Sequence, residues 1–478
     1  MRPRRSARSA SQAALRRGRR RRWRLALGAV AFVGACNAHP TTAFAQAQRS
    51  DNPASGGQQY LTGDWDGLRS TLERQGVVFT LNDTTDFLAN LSGGIKPGAA
   101  GLGAFQPKVD LDLQKLAGWD GDRIHVHGLV TYGPPFSAYY LGNILAVSNL
   151  EAGPMARLYA LWYEHNAPND FWSVRVGLLL ADSQFLLSDT ASNFINNGIS
   201  WPTFLAANLP ASGPAFPLPA PGIRVRVQPR EDWQFQAAVF SGDPSGADGS
   251  NQPAPLPFGT VISFSGGAFF ISEASYLLNQ GKNASGLPGA YRIGAWYHTS
   301  ARFADQRFDN QGISLASPQS TGIPLEHTGD GGLYGVIDQM LYRVPGTQDR
   351  GLSGFVRAGG VPNDRDLINF YADGGLVYKG LVPKRPDDKI GIAAMFARVG
   401  NNARGLDADT AFFSGNPSFP VRSSETVIEM MYQAQLTPWW MLQPDLQYIF
   451  NPGGGVLNPD GALRRNAVVI GVRSSLNF

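Results

Sequence analysis

Apolar and polar residues alternate with a period of two along most of the chain after Gly76. Within 222–228, for example, Ile223, Val225 and Val227 alternate with arginine and glutamine residues. Segments of this kind are separated by turn-forming residues, a pattern typical of β-strands that have one apolar and one polar face. The sequence therefore predicts a protein built mainly from β-strands.

Sixteen segments follow this pattern. They predict strands near 77–90, 108–115, 123–132, 156–165, 171–179, 222–228, 232–241, 268–278, 290–299, 332–342, 352–360, 370–379, 389–398, 426–436, 440–450 and 467–477. An even number is typical of bacterial outer-membrane barrels, and a barrel of this size encloses a lumen that side chains alone do not fill. The predicted fold class is all-β, a transmembrane antiparallel β-barrel of about sixteen strands.

A short helix is predicted before the first strand. Asp64 is placed to cap it, Trp65, Leu68 and Leu72 share one face, and Gly76 ends it. In 133–150 and 188–209 the alternation is lost, and the apolar residues have a loose helical spacing. These two segments either fold into the barrel and constrict the pore or lie as loops over its rim, and the predicted fold includes the constriction.

The first 45 residues predict a signal peptide. An arginine-rich stretch precedes an apolar run at 25–35, and Ala43 and Ala45 frame an A-x-A cleavage site. The run is too short for a transmembrane helix, which needs roughly 20 residues. Because 33–36 resembles a lipobox, lipidation of Cys36 is an alternative.

Three regions follow from these patterns. Residues 1–45 are the predicted signal peptide, 46–76 a periplasmic segment with the short helix, and 77–478 a single barrel. Turn-rich stretches are spread along the chain, and none of them marks a linker between domains.

Removing the leader changes the charge balance. The whole chain has 41 basic and 37 acidic residues, and the first 45 residues contain 11 of the basic and none of the acidic ones, which leaves 30 basic and 37 acidic residues. This balance argues against nucleic acid as a partner. Cys36 is the single cysteine, so the mature chain is predicted to have no disulfide, thiolate metal ligand or cysteine nucleophile.

The sequence contains no catalytic signature in a suitable context. His125 and His127 share one strand face and are interpreted as lumen-facing polar residues, with a metal site as the alternative. Four carboxylates are candidates for a hydrolase pair, namely Asp182, Asp189, Glu273 and Asp338. The prediction is no enzyme, no catalytic residue, no metal and no cofactor.

Arginines occupy the polar face of several predicted strands. Guanidinium groups offer five hydrogen-bond donors, and they are tolerated in a wet pore but costly on a lipid face. The predicted pore-lining and solute-binding residues are Arg175, Arg224, Arg226, Arg292 and Glu273. Three tryptophans either stack on solutes or belong to interfacial girdles, namely Trp162, Trp201 and Trp296.

The chain ends on an alternating strand. Phe478, Leu476 and Val472 share one face, whereas Asn477 and Arg473 share the other. A final strand that ends on an aromatic residue resembles the signal by which outer-membrane barrels are recognised for insertion. The barrel-assembly machinery is therefore an expected partner, through Phe478.

Several motifs together resemble the carbohydrate-selective porins of the OprB family. They are Tyr60-Leu-Thr-Gly-Asp-Trp-Asp-Gly-Leu-Arg69, Ala156-Arg-Leu-Tyr159 with Trp162-Tyr-Glu164, Arg175-Val-Gly177 with Ala181-Asp-Ser183, Tyr291-Arg-Ile-Gly294 with Trp296-Tyr-His298, Phe370-Tyr-Ala-Asp373, Arg385-Pro-Asp-Asp388, and Gln443-Pro-Asp-Leu-Gln-Tyr448 with Asn451-Pro-Gly-Gly454. The matches extend from about residue 60 to the end of the chain. Ala160, Leu178 and Gln184 depart from the residues usual in the family.

The resemblance implies a sixteen-stranded barrel in the outer membrane of a Gram-negative bacterium, through which glucose-type mono- or oligosaccharides diffuse passively. Sugars and outer-membrane lipid are then the expected partners, and a homo-oligomer is a further expectation. Two alternatives remain from the residues themselves, an outer-membrane hydrolase built on a barrel and a soluble periplasmic sugar-binding protein.

Overall fold

The computed structural model describes residues 58–245, 258–260, 262, 264–280, 284–300 and 302–478, which belong to one compact unit. The predicted signal peptide and Cys36 lie outside these ranges. The strands are β1 (Val77–Gly94), β2 (Gly98–Asp112), β3 (Asp122–Tyr132), β4 (Met155–Asn166), β5 (Trp172–Leu179), β6 (Ala220–Arg230), β7 (Trp233–Ser241), β8 (Ala268–Leu278), β9 (Gly289–His298), β10 (Phe303–Asp309), β11 (Pro324–His327), β12 (Asp330–Arg343), β13 (Gly351–Gly360), β14 (Ile368–Lys379), β15 (Lys389–Val399), β16 (Ser424–Thr437), β17 (Trp440–Phe450) and β18 (Arg465–Asn477).

Helices are short and lie between the strands or before them. The α-helices are α1 (Leu68–Gln75), α2 (Leu113–Ala117), α3 (Asn197–Ser200), α4 (Thr203–Ala206) and α5 (Asn401–Phe413). Single turns of 3₁₀ or π-helix occur at Ser137–Leu141, Pro168–Asp170, Ala191–Asn193, Pro210–Ser212 and Pro452–Gly454. Among the described residues, no helix combines the length and apolar character needed to cross a bilayer.

Sixteen strands, β1–β9 and β12–β18, form a closed antiparallel barrel. The ring closes between the first and last strands, where Asn82 pairs with Asn477 and Ala89 with Ile470. All sixteen predicted strands are present, and the predicted fold class is confirmed. The sequence pattern missed β10 and β11, which form a separate two-stranded ribbon in the connection between β9 and β12.

One predicted strand lies partly in the wrong place. The alternation predicted 108–115, whereas β2 ends at Asp112, whose side chain accepts the backbone N–H groups of Gln114 and Lys115 and so caps α2. The missed first half of β2 is rich in glycine and alanine. A Cβ atom on Gly103 would lie only 2.5 Å from the Tyr132 ring, so a small residue is required there and no alternation is visible.

The two faces of the barrel differ as the alternation predicts. Ile293 of β9 and Leu333 of β12 are 68% and 67% exposed on the outer face. Their neighbours Arg292 and Tyr334 belong to the inner face, and Tyr334 is buried. Apolar side chains therefore cover the surface that faces lipid.

The connections at the two ends of the barrel differ in length. Short turns join β4 to β5, β6 to β7 and β16 to β17, at the end that carries α1 and Phe478. The opposite end carries most of the long connections. Short turns are periplasmic and long loops extracellular in outer-membrane barrels, and α1 and Phe478 both lie at the end that has the short turns.

Helix α1 begins one turn later than predicted. Gly67 occupies the N-cap position, and Trp65 and Asp66 have positive φ angles outside the helix. The Asp64 carboxylate still accepts hydrogen bonds from the backbone N–H and hydroxyl of Ser70, at 2.8 and 2.7 Å. The helix ends at Gly76, as predicted, with a φ of 98°.

Two long connections fold into the barrel. We call 133–154 the first inserted segment and 180–219 the second inserted segment. The second inserted segment bonds to Glu273 of β8 and to Glu429 of β16, which lie on opposite sides of the ring. The segments therefore fill part of the lumen, as the constriction in the predicted fold requires.

The core of the protein lies between these segments and one part of the barrel wall. Phe194, Phe204 and Trp201 of the second inserted segment are buried together with Phe355 of β13 and Tyr371 of β14. The Phe204 and Tyr371 rings stack with centroids 6.4 Å apart. Packing of this kind makes the inserted segments a fixed part of the fold.

Candidate functional site

A row of charged side chains crosses β4, β5 and β6 on the inner face. The register places Glu164 opposite Arg175, and Arg175 opposite Arg224. The Glu164 carboxylate accepts a hydrogen bond from Arg175 at 2.9 Å and from Arg224 at 2.5 Å. All three side chains are almost fully buried, so this row braces the wall through ion pairs.

Neutral groups satisfy the remaining donors of Arg224. Its Nε donates to Oε1 of Gln184 at 3.0 Å, and its Nη1 donates to the hydroxyl of Ser173 at 2.6 Å. Gln184 is one of the positions that depart from the family, and it links the second inserted segment to this row. Ala160, another such position, faces inward on β4 and is buried.

An aromatic stack continues the row toward β3. The His125 ring lies parallel to Trp162 with centroids 4.8 Å apart, and the Arg175 guanidinium lies 3.9 Å from the Trp162 ring centroid. Trp162 is thus enclosed between two neighbours. Trp201 and Trp296 are buried in the core, whereas Trp162 is partly exposed on the inner face, so none of the three tryptophans belongs to an outer girdle.

The two histidines have separate partners. His125 Nδ1 lies 2.7 Å from Asp110, and His127 Nε2 lies 3.1 Å from Gln106. Both side chains face inward, as the lumen-facing interpretation predicts. Across the part of the chain that is described, no group of three or more histidine, cysteine or acidic side chains could hold a metal ion.

Arg226 and Arg292 are only partly buried and face the lumen. Arg226 lies opposite Ser173, and among the described residues no carboxylate oxygen lies within 4 Å of its guanidinium. The Arg292 Nε is 3.8 Å from the Glu273 carboxylate. These two arginines therefore retain donors that the wall does not use.

Glu273 anchors the second inserted segment. Its carboxylate accepts the Leu186 N–H at 3.0 Å, the Tyr334 hydroxyl at 3.0 Å and the Gln236 amide at 3.2 Å. The side chain is 4% exposed. Its hydrogen-bonding capacity is consequently used by the inserted segment and by neighbouring strands of the wall.

Acidic side chains on the opposite wall hold both inserted segments through backbone N–H groups. Glu425 accepts the N–H groups of Ile144 and Leu145 at 2.8 and 2.7 Å. Glu429 accepts those of Ile195 and Asn196 at 2.7 and 3.2 Å. These carboxylates were not predicted from the sequence, although their inward strand positions were a visible signal.

Asp338 and an arginine–aspartate pair complete this anchoring. Asp338 accepts the Thr190 N–H at 2.9 Å and its hydroxyl at 2.6 Å. The Arg357 Nε donates to the Asp373 carboxylate at 3.0 Å. The same guanidinium also donates to carbonyl groups of the second inserted segment. Sequence reasoning missed this pair because its partners lie on different strands.

The four carboxylates considered for hydrolysis do not form a free pair. Glu273 and Asp338 accept hydrogen bonds from the second inserted segment. Asp182 accepts the Phe216 N–H at 2.8 Å. Burial raises the pKa of Asp182 to about 6. Asp189 is exposed on the second inserted segment.

Comparisons with known proteins agree with this architecture. A family model described as "Carbohydrate-selective porin, OprB family" matches residues 96–478. Porin B of Pseudomonas aeruginosa is 27% identical over 475 residues, which covers 95% of this chain and 96% of that protein.

Two solved structures of Pseudomonas putida OprB are also similar, each covering 89% of this chain and 100% of the other. The high-pH structure has a TM-score of 0.79 at 25% identity, and the low-pH structure has a TM-score of 0.55 at 20% identity. Neither the hydrolase nor the soluble binding-protein alternative gains support from these relatives, which are porins. The chain belongs to the OprB family of carbohydrate-selective porins, channels of the Gram-negative outer membrane that are not enzymes.

Proposed function

We propose that glucose-type mono- or oligosaccharides diffuse along the part of the inner wall that carries Arg175, Arg224, Arg226, Arg292 and Glu273. The observation that carries this proposal is the partial exposure of Arg226 and Arg292 on the inner face, which lets a solute reach their guanidinium groups. Sugars are rich in hydroxyl groups that accept hydrogen bonds from guanidinium donors.

The five residues divide into two roles in this proposal. Arg226 and Arg292 exchange hydrogen bonds with the passing solute. Arg175 and Arg224 fix the wall through Glu164, and Glu273 fixes the second inserted segment. Each contact with the solute has to remain weak, because a tightly held sugar would leave slowly and block the channel.

The block of ion current by glucose tests this role. The purified protein is placed in planar bilayers, and the glucose concentration that halves the conductance is measured. Replacing both Arg226→Gln and Arg292→Gln should raise that concentration at least threefold. Arg230→Gln is the matched control, because Arg230 lies on the same strand but is solvent-exposed and paired with Asp232. An unchanged half-blocking concentration in the double variant would remove both arginines from the solute path.

We also propose that residues 1–45 form a signal peptide, that 46–76 form a periplasmic segment and that 77–478 form the barrel. The run of arginines before an apolar stretch and the A-x-A site support export. Amino-terminal sequencing of the protein from outer membranes should begin at Gln46. A mature chain that begins at Cys36 would instead support lipidation.

Assembly is proposed to depend on the last residue. The outward alternation of β18 and the aromatic Phe478 support recognition by the barrel-assembly machinery. Deletion of Phe478 should lower the amount of barrel inserted in cells, measured as the heat-modifiable band in membrane fractions. Insertion at the wild-type level would contradict this role.

A further inference from the structure

Charged side chains on different parts of the inner wall differ in how far protein groups cover them and pair with them. On the wall from β14 through β18 to β1, the carboxylates of Asp373, Glu425, Glu429 and Asp86 are at most 4% exposed. They accept hydrogen bonds from the inserted segments or from arginines, as Asp86 does from Arg473 at 2.7 Å. These negative charges are therefore covered by protein and shielded from a solute.

The wall formed by β4, β5 and β6 has the opposite balance. One carboxylate, Glu164, is shared by Arg175 and Arg224, and the other acceptors of Arg224 are the neutral groups of Gln184 and Ser173. Arg226 is the next inward residue on β6; its Nε is buried without a hydrogen-bond partner, whereas the side chain as a whole is partly exposed to the lumen. Three guanidinium groups thus surround a single carboxylate.

The wider surroundings of Arg226 are also positive. Besides Arg224, the charged groups with the largest influence on it are Glu164, Asp170, Arg123 and Arg175. With Arg226 itself, four cations face two anions. Walls of low dielectric constant strengthen the field of such an excess inside a cleft.

We propose that this pore admits acidic sugars, such as hexuronates, with Arg226 as the residue that attracts their carboxylate. The inference rests on the proposed role of this wall in sugar passage and names a substrate class for it. A guanidinium group binds a carboxylate through two parallel N–H bonds, a geometry that a neutral sugar does not match. The hydroxyl groups of an acidic sugar accept the same arginine hydrogen bonds as the hydroxyl groups of a neutral sugar.

The zero-current potential across a planar bilayer tests the proposal. A tenfold gradient of potassium glucuronate at pH 7 gives the permeability ratio of glucuronate to potassium, and glucose permeation is measured separately in vesicles. The wild-type channel should favour glucuronate. Arg226→Gln should lower the ratio at least threefold, whereas Arg226→Lys, which keeps the charge but not the paired N–H donors, should lower it less. Arg230→Gln should behave as the wild type.

The outcomes separate this inference from the proposed function. A wild-type channel that passes glucose but prefers potassium over glucuronate overturns the acidic-sugar inference alone. The same holds if Arg226→Gln has the ratio of Arg230→Gln, provided that both variants show heat-modifiable migration. If neither glucose nor glucuronate permeates, the proposed sugar path itself is wrong.

Discussion

Glu164 binds two guanidinium groups at once, and this makes it the residue on which the wall of β4, β5 and β6 depends. Its carboxylate lies within 2.9 Å of Arg175 and 2.5 Å of Arg224, and all three side chains are buried. Removing one partner of a buried ion pair leaves the other charge uncompensated. The wall is therefore sensitive to loss of the acid.

Glu164→Gln should lower the free energy of unfolding by about 3–5 kcal/mol, the range for a broken buried pair. Urea unfolding of the detergent-solubilised barrel measures this. The control is Asp232→Asn, which breaks a solvent-exposed pair with Arg230 and should change stability by about 0.5 kcal/mol or less. Equal effects of the two variants would show that the buried row does not brace the wall.

Glu151 predicts a pH dependence within the first inserted segment. Burial raises the pKa of Glu151 to about 7, and its carboxylate accepts the N–H and hydroxyl of Ser137, both at 2.7 Å. Because the folded pKa is raised, the protonated form is favoured in the folded state. Its stabilising effect is present below the unfolded pKa of about 4.5 and is lost as the pH rises through about 7.

The thermal unfolding midpoint at pH 5 and at pH 8 tests this sign. The wild-type midpoint should be lower at pH 8 than at pH 5. Glu151→Gln, which mimics the neutral form, should show a smaller fall from pH 5 to pH 8. Glu326→Gln on the exposed ribbon is the control. A fall in Glu151→Gln as large as that of the wild type would contradict the assignment.

For single residues, the sequence predicted the barrel face on which a side chain lies better than it predicted the burial and the partners of that side chain. Strand parity correctly placed Arg175, Arg224 and Arg226 on the inner face. It did not predict that Arg175 and Arg224 are buried in ion pairs, because Glu164 lies on another strand and register is not visible in a single sequence. Glu273 was missed as an anchor for the same reason.

The inserted segments are the elements that decide how much of the lumen remains open. Each is held by wall carboxylates that accept backbone N–H groups, as Glu429 does for Ile195 and Asn196. A buried N–H group that loses its acceptor is destabilised by about 1–3 kcal/mol. The position of the second inserted segment is therefore coupled to single wall residues.

Glu429→Ala should loosen the second inserted segment and widen the pore. Single-channel conductance should rise, and larger oligosaccharides should permeate in vesicle assays. The barrel should still form, because Glu429 belongs to the interior side of β16 and the ladder with β15 and β17 is made by the backbone. Conductance and size limit equal to those of the wild type would contradict the anchoring role.

Element prediction succeeded where alternation is strong. The sixteen barrel strands were found, whereas β10, β11 and the first half of β2 were not, since short strands and glycine-rich strands show little alternation. The two inserted segments were recognised as irregular and were predicted to constrict the pore, but the wall residues that they contact were not predicted. Their contacts with Glu425 and Glu429 form across more than 200 positions of sequence, which no local pattern encodes.

The segment before β1 contacts the end of β18, beside the β1–β18 ladder that closes the barrel. Arg69 donates a hydrogen bond to the main-chain oxygen of Phe478 at 2.6 Å, and its guanidinium lies against the rings of Tyr60 and Trp65 at 3.8 and 4.2 Å. The Leu61 N–H donates to Asn477 at 2.8 Å. The segment before α1 thus holds the end of the last strand.

Arg69→Ala should lower the free energy of unfolding by about 2 kcal/mol, the range for a hydrogen bond to a charged group. Tyr60→Ala removes one of the two rings that contact this guanidinium and should also lower the free energy of unfolding, by about 1 kcal/mol. If the two groups act together, the double variant loses less than the sum of the single variants. Strictly additive losses after refolding in detergent would contradict the contact.

At the scale of the molecule, the alternation and the even strand count predicted a closed barrel, and the family motifs predicted a sugar channel. They did not predict that one half of the inner wall is covered while the other keeps exposed arginines. That asymmetry arises from tertiary packing of Phe194, Phe204 and Trp201, which have no periodic signature.

The central claim is that sugars diffuse passively through the part of the lumen that the inserted segments leave open. The most direct test is the swelling rate of vesicles that contain the purified protein, measured with neutral sugars from monosaccharides to large maltodextrins. Passive diffusion past a fixed constriction predicts a rate proportional to the concentration gradient, high for monosaccharides and falling steeply with size. Swelling no faster than in protein-free vesicles, or equal rates for every sugar size, would contradict the claim.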